Sequence, residues 1–172
     1  VLDLGGWSDH LDAYDLDGAA DEVTMLDRPG DLRSGSGSDD PAGVRRVDAA
    51  VEALTELGVG PFDSIVCLIR TPLVADLEGF LRTLLALLAD EGRLLMLEPV
   101  RRSGRVGRLL AVGARVGRAA GGLHLDRDLP AELRARDLVV TDLTRFEVPT
   151  VSAPLRPFVE LTARRPVSPA RS

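Results

Sequence analysis

Residues 61–101 read PFDSIVCLIRTPLVADLEGFLRTLLALLADEGRLLMLEPVR, and this stretch decides the fold. Phe62–Ile69 is apolar, partly β-branched and too short for a buried helix, so it predicts a strand. Leu77–Leu88 reads as a strongly apolar helix, stopped by Asp90-Glu91-Gly92. Arg93–Leu97 is the next strand, followed by Glu98-Pro99. Two apolar strands joined through a helix predict parallel neighbours with a crossover between them.

Working outward toward the amino end, Val1–Leu4 is a short apolar stretch with one acid, Asp3, closed by Gly5-Gly6. It reads as a buried strand ending in a tight turn. Residues 7–20 are polar and acidic; Trp7, Leu11, Tyr14 and Leu16 are spaced for a short helix that Gly18 and the aspartates weaken. Glu22–Leu26 is a second strand, ended by Asp27. Residues 28–43, rich in Gly, Ser, Asp and Pro, predict a flexible surface loop. Val51, Leu54 and Leu57 have helical spacing, stopped by Gly58 and Gly60-Pro61. On the carboxyl side, Val106–Ala120 is helical by pattern and Pro130–Asp137 predicts a short helix. Leu138–Val148 and Phe158–Ala163 are the closing strands, and the tail from Arg164 frays.

The chain has 172 residues, 45% hydrophobic and 28% charged, which suits one globular domain with a sizeable core. Its net charge of −6 argues against a general nucleic-acid binder, which needs a positive face. A single cysteine, Cys67, excludes an internal disulfide and a multi-cysteine zinc site. His10 and His124 lie far apart without a helix-spaced partner, so no metal centre is expected. The longest apolar runs fall short of a membrane span. All 21 basic residues are arginine, with Lys, Asn and Gln absent, so arginine abundance reflects coding bias rather than function. Arg101–Arg118 forms a basic, semi-apolar segment that could rest on an anionic membrane; a solvated helix face is the commoner outcome. The chain opens on Val1 with no charged, apolar or small-residue leader, which reads as a truncated start and a cytoplasmic protein.

Strand–helix alternation places ligands outside the carboxyl ends of the strands. Those ends are Gly5–Ser8, Asp27–Arg28, Asp48–Val51 and Cys67–Thr71. A strand followed by glycine lets backbone approach a ligand closely, and an acid ending the second strand suits a ribose diol. These residues therefore fit a nucleoside-containing cofactor, and they equally fit a plain strand-end turn with a solvated acid. No G-x-G-x-x-G follows the first strand, which disfavours a nicotinamide site. His124 is a weak general-base candidate, against a structural bond to Asp126 or Asp128. Cys67 reads as a small core residue rather than a nucleophile.

VLDLGG followed by EVTMLD resembles the first two strands of a class I S-adenosylmethionine-dependent methyltransferase. PFDSIVCLI, an apolar helix and DEGRLLMLEPVR resemble the fourth strand, following helix and fifth strand of that family, which usually read FD-apolar and PGG-RLL-apolar-E. Gly121–Asp128 (GGLHLDRD) resembles a GG-C-HLNRD stretch of its small-molecule, type 11-like subgroup. Arg156-Pro157-Phe158 and Ala163–Pro166 resemble that subgroup's last strand. The resemblance covers Val1 to Pro166. It implies one domain over 1–166 with a disordered 167–172 tail, and a Rossmann-like, mostly parallel sheet flanked by helices with an antiparallel last strand.

It also implies S-adenosylmethionine as cofactor and a small, partly apolar molecule as methyl acceptor. Asp3, Gly5 and Gly6 would bracket the cofactor's amino-acid end, Asp27 its ribose hydroxyls, and Asp48–Val51 its adenine. Cys67–Arg70 would line the site near the transferable methyl. In-line displacement at a sulfonium carbon needs proximity and desolvation more than a strong acid or base. Trp7 and Asp9 stand where the family's turn carries glycines, and Ala50 where it has an acid after the third strand. The turn is thus degenerate, and the alternative reading is a non-catalytic interaction protein that has lost cofactor binding.

Overall fold

Seven strands form one sheet in the order β3-β2-β1-β4-β5-β7-β6. The structure, a computed structural model, describes residues 1–5, 22–26, 43–100, 124, 127–150 and 156–166. The strands are β1 (Leu2–Asp3), β2 (Val23–Leu26), β3 (Val44–Val47), β4 (Phe62–Leu68), β5 (Leu88–Pro99), β6 (Val139–Glu147) and β7 (Pro157–Arg164). Two helices are described, α1 (Leu77–Leu87) and α2 (Leu129–Arg134). Gly6, Trp7, Asp9, His10, Asp27, the 7–20 segment and residues 28–42 lie outside the described residues. So do Arg101–Arg118, the 106–120 helix, Gly121–Leu123 and the 167–172 tail.

β1 pairs in parallel with β2 and with β4, β2 with β3, and β4 with β5. β7 lies antiparallel between β5 and β6. The sheet is therefore mostly parallel with an antiparallel last strand, as expected. The chain moves from β1 outward to β2 and β3, then returns to the other side of β1 to form β4. That reversal makes the junction of β1 and β4 a topological switch point, where open sheets hold ligands.

Burial explains why these runs become strands. Leu2, Leu4, Ile65, Cys67, Leu94 and Met96 are buried on the central strands, as a sheet covered by helices requires. α1 buries Leu77, Phe80, Leu81, Leu84 and Leu87, which share one stripe at helical spacing. Its N-cap is Asp76, whose side chain accepts the Gly79 amide at 3.0 Å. α2 is capped in the same way by Asp128, with Leu129 and Leu133 buried. Together these side chains form one continuous core.

Three elements differ from expectation. β5 spans Leu88–Pro99 rather than Arg93–Leu97, so Asp90-Glu91-Gly92 lies within the strand instead of forming a stop between helix and strand. Val51–Leu57 is not an α-helix: a 3-10 turn covers Val51–Ala53 and irregular turns follow. Its N-cap, Ala50, offers no side-chain acceptor, and Gly58 reverses the chain at φ 66°. So short a segment cannot offset helix nucleation without a cap. β3 has no counterpart in the apolar pattern, because Arg45 and Arg46 interrupt it. Pairing with β2 in register, Val23 to Val44 through Leu26 to Val47, makes it a strand.

Candidate functional site

The site is built where β1, β4 and β5 end side by side. Leu4 extends the β1–β4 pairing, its amide donating to the Val66 carbonyl at 2.8 Å. Asp3 is buried, and its Oδ1 accepts the Gly5 amide at 2.5 Å. This bond folds the chain back immediately after β1. A Cβ on Gly5 would lie 2.9 Å from Asp3 Oδ1 and 3.0 Å from Leu68 Cδ1, so a larger residue would have to displace these side chains. Gly5 thus packs closely against Asp3 and Leu68 at the end of the first strand.

β4 ends in a sharp change of direction. Ile69 adopts φ 52°, the left-handed region that a β-branched residue rarely enters. Its amide is still held in the sheet by the Leu97 carbonyl at 2.9 Å. The chain then enters a 3-10 turn over Thr71–Leu73. Backbone strain of this kind persists where surrounding bonds over-determine it, and here those bonds converge on Glu98.

Glu98 lies on β5, fully buried. Its Oε1 accepts the Cys67 thiol at 3.2 Å and the Arg70 amide at 3.0 Å. Its Oε2 accepts the Thr71 amide at 3.1 Å and the Thr71 hydroxyl at 2.9 Å. Burial pushes the Glu98 carboxyl above its ordinary range, and the hydrogen bonds from Arg70, Cys67 and Thr71 act in the opposite sense. Burial likewise pushes the Cys67 thiol well up, with the Glu98 charge adding to it. Cys67 is a neutral donor in the core, which agrees with its reading as a core residue and not a nucleophile.

Arg70 crosses from β4 to β1: its side-chain Nε donates to the Leu4 carbonyl at 2.5 Å. The guanidinium therefore sits over the switch point, beside the Gly5 turn. On the far side of the same turn, the Arg127 guanidinium donates to the carbonyls of Thr71, Val74 (2.5 Å) and Ala75 (3.2 Å). The His124 amide donates to the Pro72 carbonyl at 2.8 Å. The Thr71–Ala75 stretch is thus gripped from below by Glu98 and from outside by the segment that carries His124.

Of the residues singled out from sequence, the structure brings Asp3, Gly5, Cys67 and Arg70 to one place. His124 is half-buried and joined to the turn above them. Asp48 follows β3 at the same sheet edge, exposed, with β2 between β3 and β1. Gly6 and Asp27 lie outside the described residues. The sequence reading did not single out Glu98 or Arg127 as site residues. Its signal for Glu98 was present, an acid closing an otherwise apolar strand, which must find several donors if buried. Among the described residues no cluster of metal-ligating side chains occurs, and no helix is long and apolar enough to cross a membrane. A cavity of about 390 Å³ opens at the opposite edge, between Thr24, Arg45 and Asp63, away from these groups.

No family model matches this sequence, and no curated protein matches it. Solved structures do match by shape. The YcgJ protein of Bacillus subtilis is 14% identical, with 96% of this chain and 91% of that one covered at a TM-score of 0.69. The N-methyltransferase NodS of Bradyrhizobium japonicum, solved with S-adenosyl-L-homocysteine, is 12% identical, covering 96% and 76% at 0.67. The 1,6-didemethyltoxoflavin-N1-methyltransferase of Burkholderia thailandensis, solved with its substrate and S-adenosylhomocysteine, is 20% identical, covering 95% and 69% at 0.62. At these identities the likeness shows the fold alone: a Rossmann-like, mostly parallel sheet of seven strands with antiparallel last strands.

Proposed function

We propose that this protein binds S-adenosylmethionine across the carboxyl ends of β1 and β4 and transfers its methyl group to a small, partly apolar molecule. The observation that carries this reading is the Asp3–Leu4–Gly5 turn at the switch point of a 3-2-1-4-5-7-6 sheet. Two of the matching structures hold S-adenosylhomocysteine, the product left after methyl transfer, and one of them a small heterocyclic substrate. In this reading Asp3, Gly5 and Gly6 flank the amino-acid end of the cofactor. Asp27 takes the ribose hydroxyls, and Asp48 stands beside the adenine. Cys67 supports the floor from the core. The cofactor supplies the electrophilic methyl; the protein's part is to align the acceptor and exclude water. His124, carried at the mouth, is the candidate base for an acceptor that must lose a proton.

A second reading is a methyltransferase fold that no longer binds the cofactor. The engagement of the Gly5 amide by Asp3 and of the Leu4 carbonyl by Arg70 favours it, because both groups are satisfied within the chain. Calorimetric titration of the protein with S-adenosylmethionine and S-adenosylhomocysteine separates the two. Micromolar binding that Asp27→Ala abolishes supports the enzyme. Absence of heat at several temperatures, together with an unchanged melting temperature, leaves only the second reading.

A further inference from the structure

The cavity of about 390 Å³ at the amino edge of the sheet lies on the far side from the Gly5 turn. Glu22, Thr24, Arg45 and Asp63 line it, and Val59 and Pro61 give it an apolar wall. Leu2 pairs with Thr24 on one side and with Ile65 on the other, so β4, which begins at Phe62, runs past the start of β1. The recess opens beside that overhang.

The polar side chains that line it are unengaged. Thr24 is only 2% exposed, yet among the described residues its hydroxyl makes no hydrogen bond. A buried hydroxyl without a partner destabilises a fold, and it marks a place where something else supplies the bond. Glu22, Arg45 and Asp63 are exposed, and among the described residues their side chains enter no hydrogen bond or ion pair. Val1 also borders the cavity; its amino group donates to the Glu22 backbone carbonyl at 2.8 Å, which leaves the Glu22 carboxylate uninvolved.

The strand order spaces these groups. Arg45 on β3 and Glu22 at the start of β2 stand on neighbouring strands, about 5 Å apart in the sheet. Asp63 on β4 stands two strands beyond Glu22, about 10 Å away. A guanidinium offers a planar fork to a carboxylate. The complement of this wall is therefore a carboxylate and an ammonium side by side, with a second cation at the end of a methylene arm. Val59 and Pro61 offer that arm an apolar surface.

We infer that this cavity is a second binding site, for a free basic α-amino acid. The carboxylate meets Arg45, the α-ammonium meets Glu22, the side-chain cation meets Asp63, and Thr24 supplies the buried hydrogen bond. The site is independent of the S-adenosylmethionine reading.

The test follows backbone amide shifts of the whole chain while L-arginine is added to about 50 mM at constant pH and ionic strength. Agmatine, which lacks the carboxylate, and L-norleucine, which lacks the side-chain cation, are added in parallel. L-arginine is expected to saturate in the millimolar range and to move amides at 22–24, 44–46, 58–60 and 62–64. One exposed ion pair corresponds to about 2–5-fold in affinity, so agmatine and norleucine each bind more weakly by that factor. Asp63→Asn costs L-arginine the same factor and leaves norleucine unchanged; Arg45→Met costs L-arginine that factor and leaves agmatine unchanged. Thr24→Val weakens all three compounds while the free protein melts at or above the wild-type temperature, because an unpartnered hydroxyl has been removed. Shifts scattered over the surface, failure to saturate, or equal affinity for the three compounds overturns the site and makes it a water-filled recess. A Thr24→Val protein that melts below wild type assigns the hydroxyl to the fold and overturns its part in the site. Should a variant not fold, the three compounds on the wild type decide.

Discussion

Glu98→Gln is the substitution on which the site's construction can be judged. All four groups that face the carboxylate are donors, two on each oxygen. A carboxylate accepts on both oxygens, whereas an amide accepts on one and donates from the other. If the Gln nitrogen replaces Oε1, the Cys67 thiol can rotate away, but the Arg70 amide cannot. If it replaces Oε2, the Thr71 hydroxyl can rotate, but the Thr71 amide cannot. Either orientation strands one backbone N–H in a buried site, at about 1–3 kcal/mol. Relief from burying a charge returns part of this, so the net loss is about 1 kcal/mol at pH 7. That is a shift of about 0.5 M in the urea midpoint for a domain of this size. The pH dependence has a sign. Burial raises the folded-state pKa of Glu98, so between its unfolded and folded values the folded protein holds more protons. The stability this confers is fully present below the unfolded pKa and is lost as pH rises through the folded one. A protonated acid also keeps a lone pair on each oxygen for the Arg70 and Thr71 amides, while the rotatable Cys67 thiol or Thr71 hydroxyl turns to accept the added proton. The gap between wild type and Glu98→Gln in urea melts is therefore widest at low pH and narrows as pH rises. A variant as stable as wild type at every pH, or a gap that widens with pH, refutes this account of the clamp.

Gly5→Ala pushes a Cβ to 2.9 Å from Asp3 Oδ1 and 3.0 Å from Leu68, which costs about 1–3 kcal/mol in a thermal melt and displaces the turn. Under the proposed function it also weakens S-adenosylhomocysteine at least tenfold by calorimetry; unchanged affinity separates the turn from the cofactor. Arg127→Met removes the guanidinium from the Thr71, Val74 and Ala75 carbonyls. Amide exchange is expected to accelerate at 71–76 and at 124, 127 and 128 while β1 and β2 keep wild-type protection; uniform acceleration would mean global destabilisation instead.

The fold was legible where periodicity and length agree. β4 and α1 could be read almost residue for residue, because a buried parallel strand is a continuous apolar run and α1 carries an unbroken stripe; of β5 only the apolar Arg93–Leu97 part was legible, because Asp90-Glu91-Gly92 reads as a stop. β3 was not, because its Arg45 and Arg46 hide the pattern and pairing with β2 decides it. The 51–57 segment misled because apolar spacing says nothing about the missing cap at Ala50. In the site, Asp3 and Gly5 were visible as a strand end. Glu98 was visible only as an acid closing an apolar strand; its partners, 27 to 31 positions away, lie in no local window. Arg127 likewise acts on a turn more than fifty positions earlier.

The division of labour among these residues also decides which measurement is informative. Cys67, Glu98 and Thr71 belong to the core as much as to the site: they are buried, satisfy one another and join β4 to β5. A chain that had abandoned catalysis would still need them, since losing any one strands a buried donor or acceptor at a cost to stability. Their presence therefore does not distinguish an enzyme from a retained fold. Arg70 differs. Its backbone is part of the clamp, but its half-buried guanidinium leaves the clamp to reach the Leu4 carbonyl at the ligand edge. A smaller side chain at that position would leave the clamp's backbone bonds intact. That bond to Leu4 ties the end of β4 to β1, so the guanidinium serves the fold as well. Affinity for S-adenosylhomocysteine, measured directly, addresses function where stability measurements cannot.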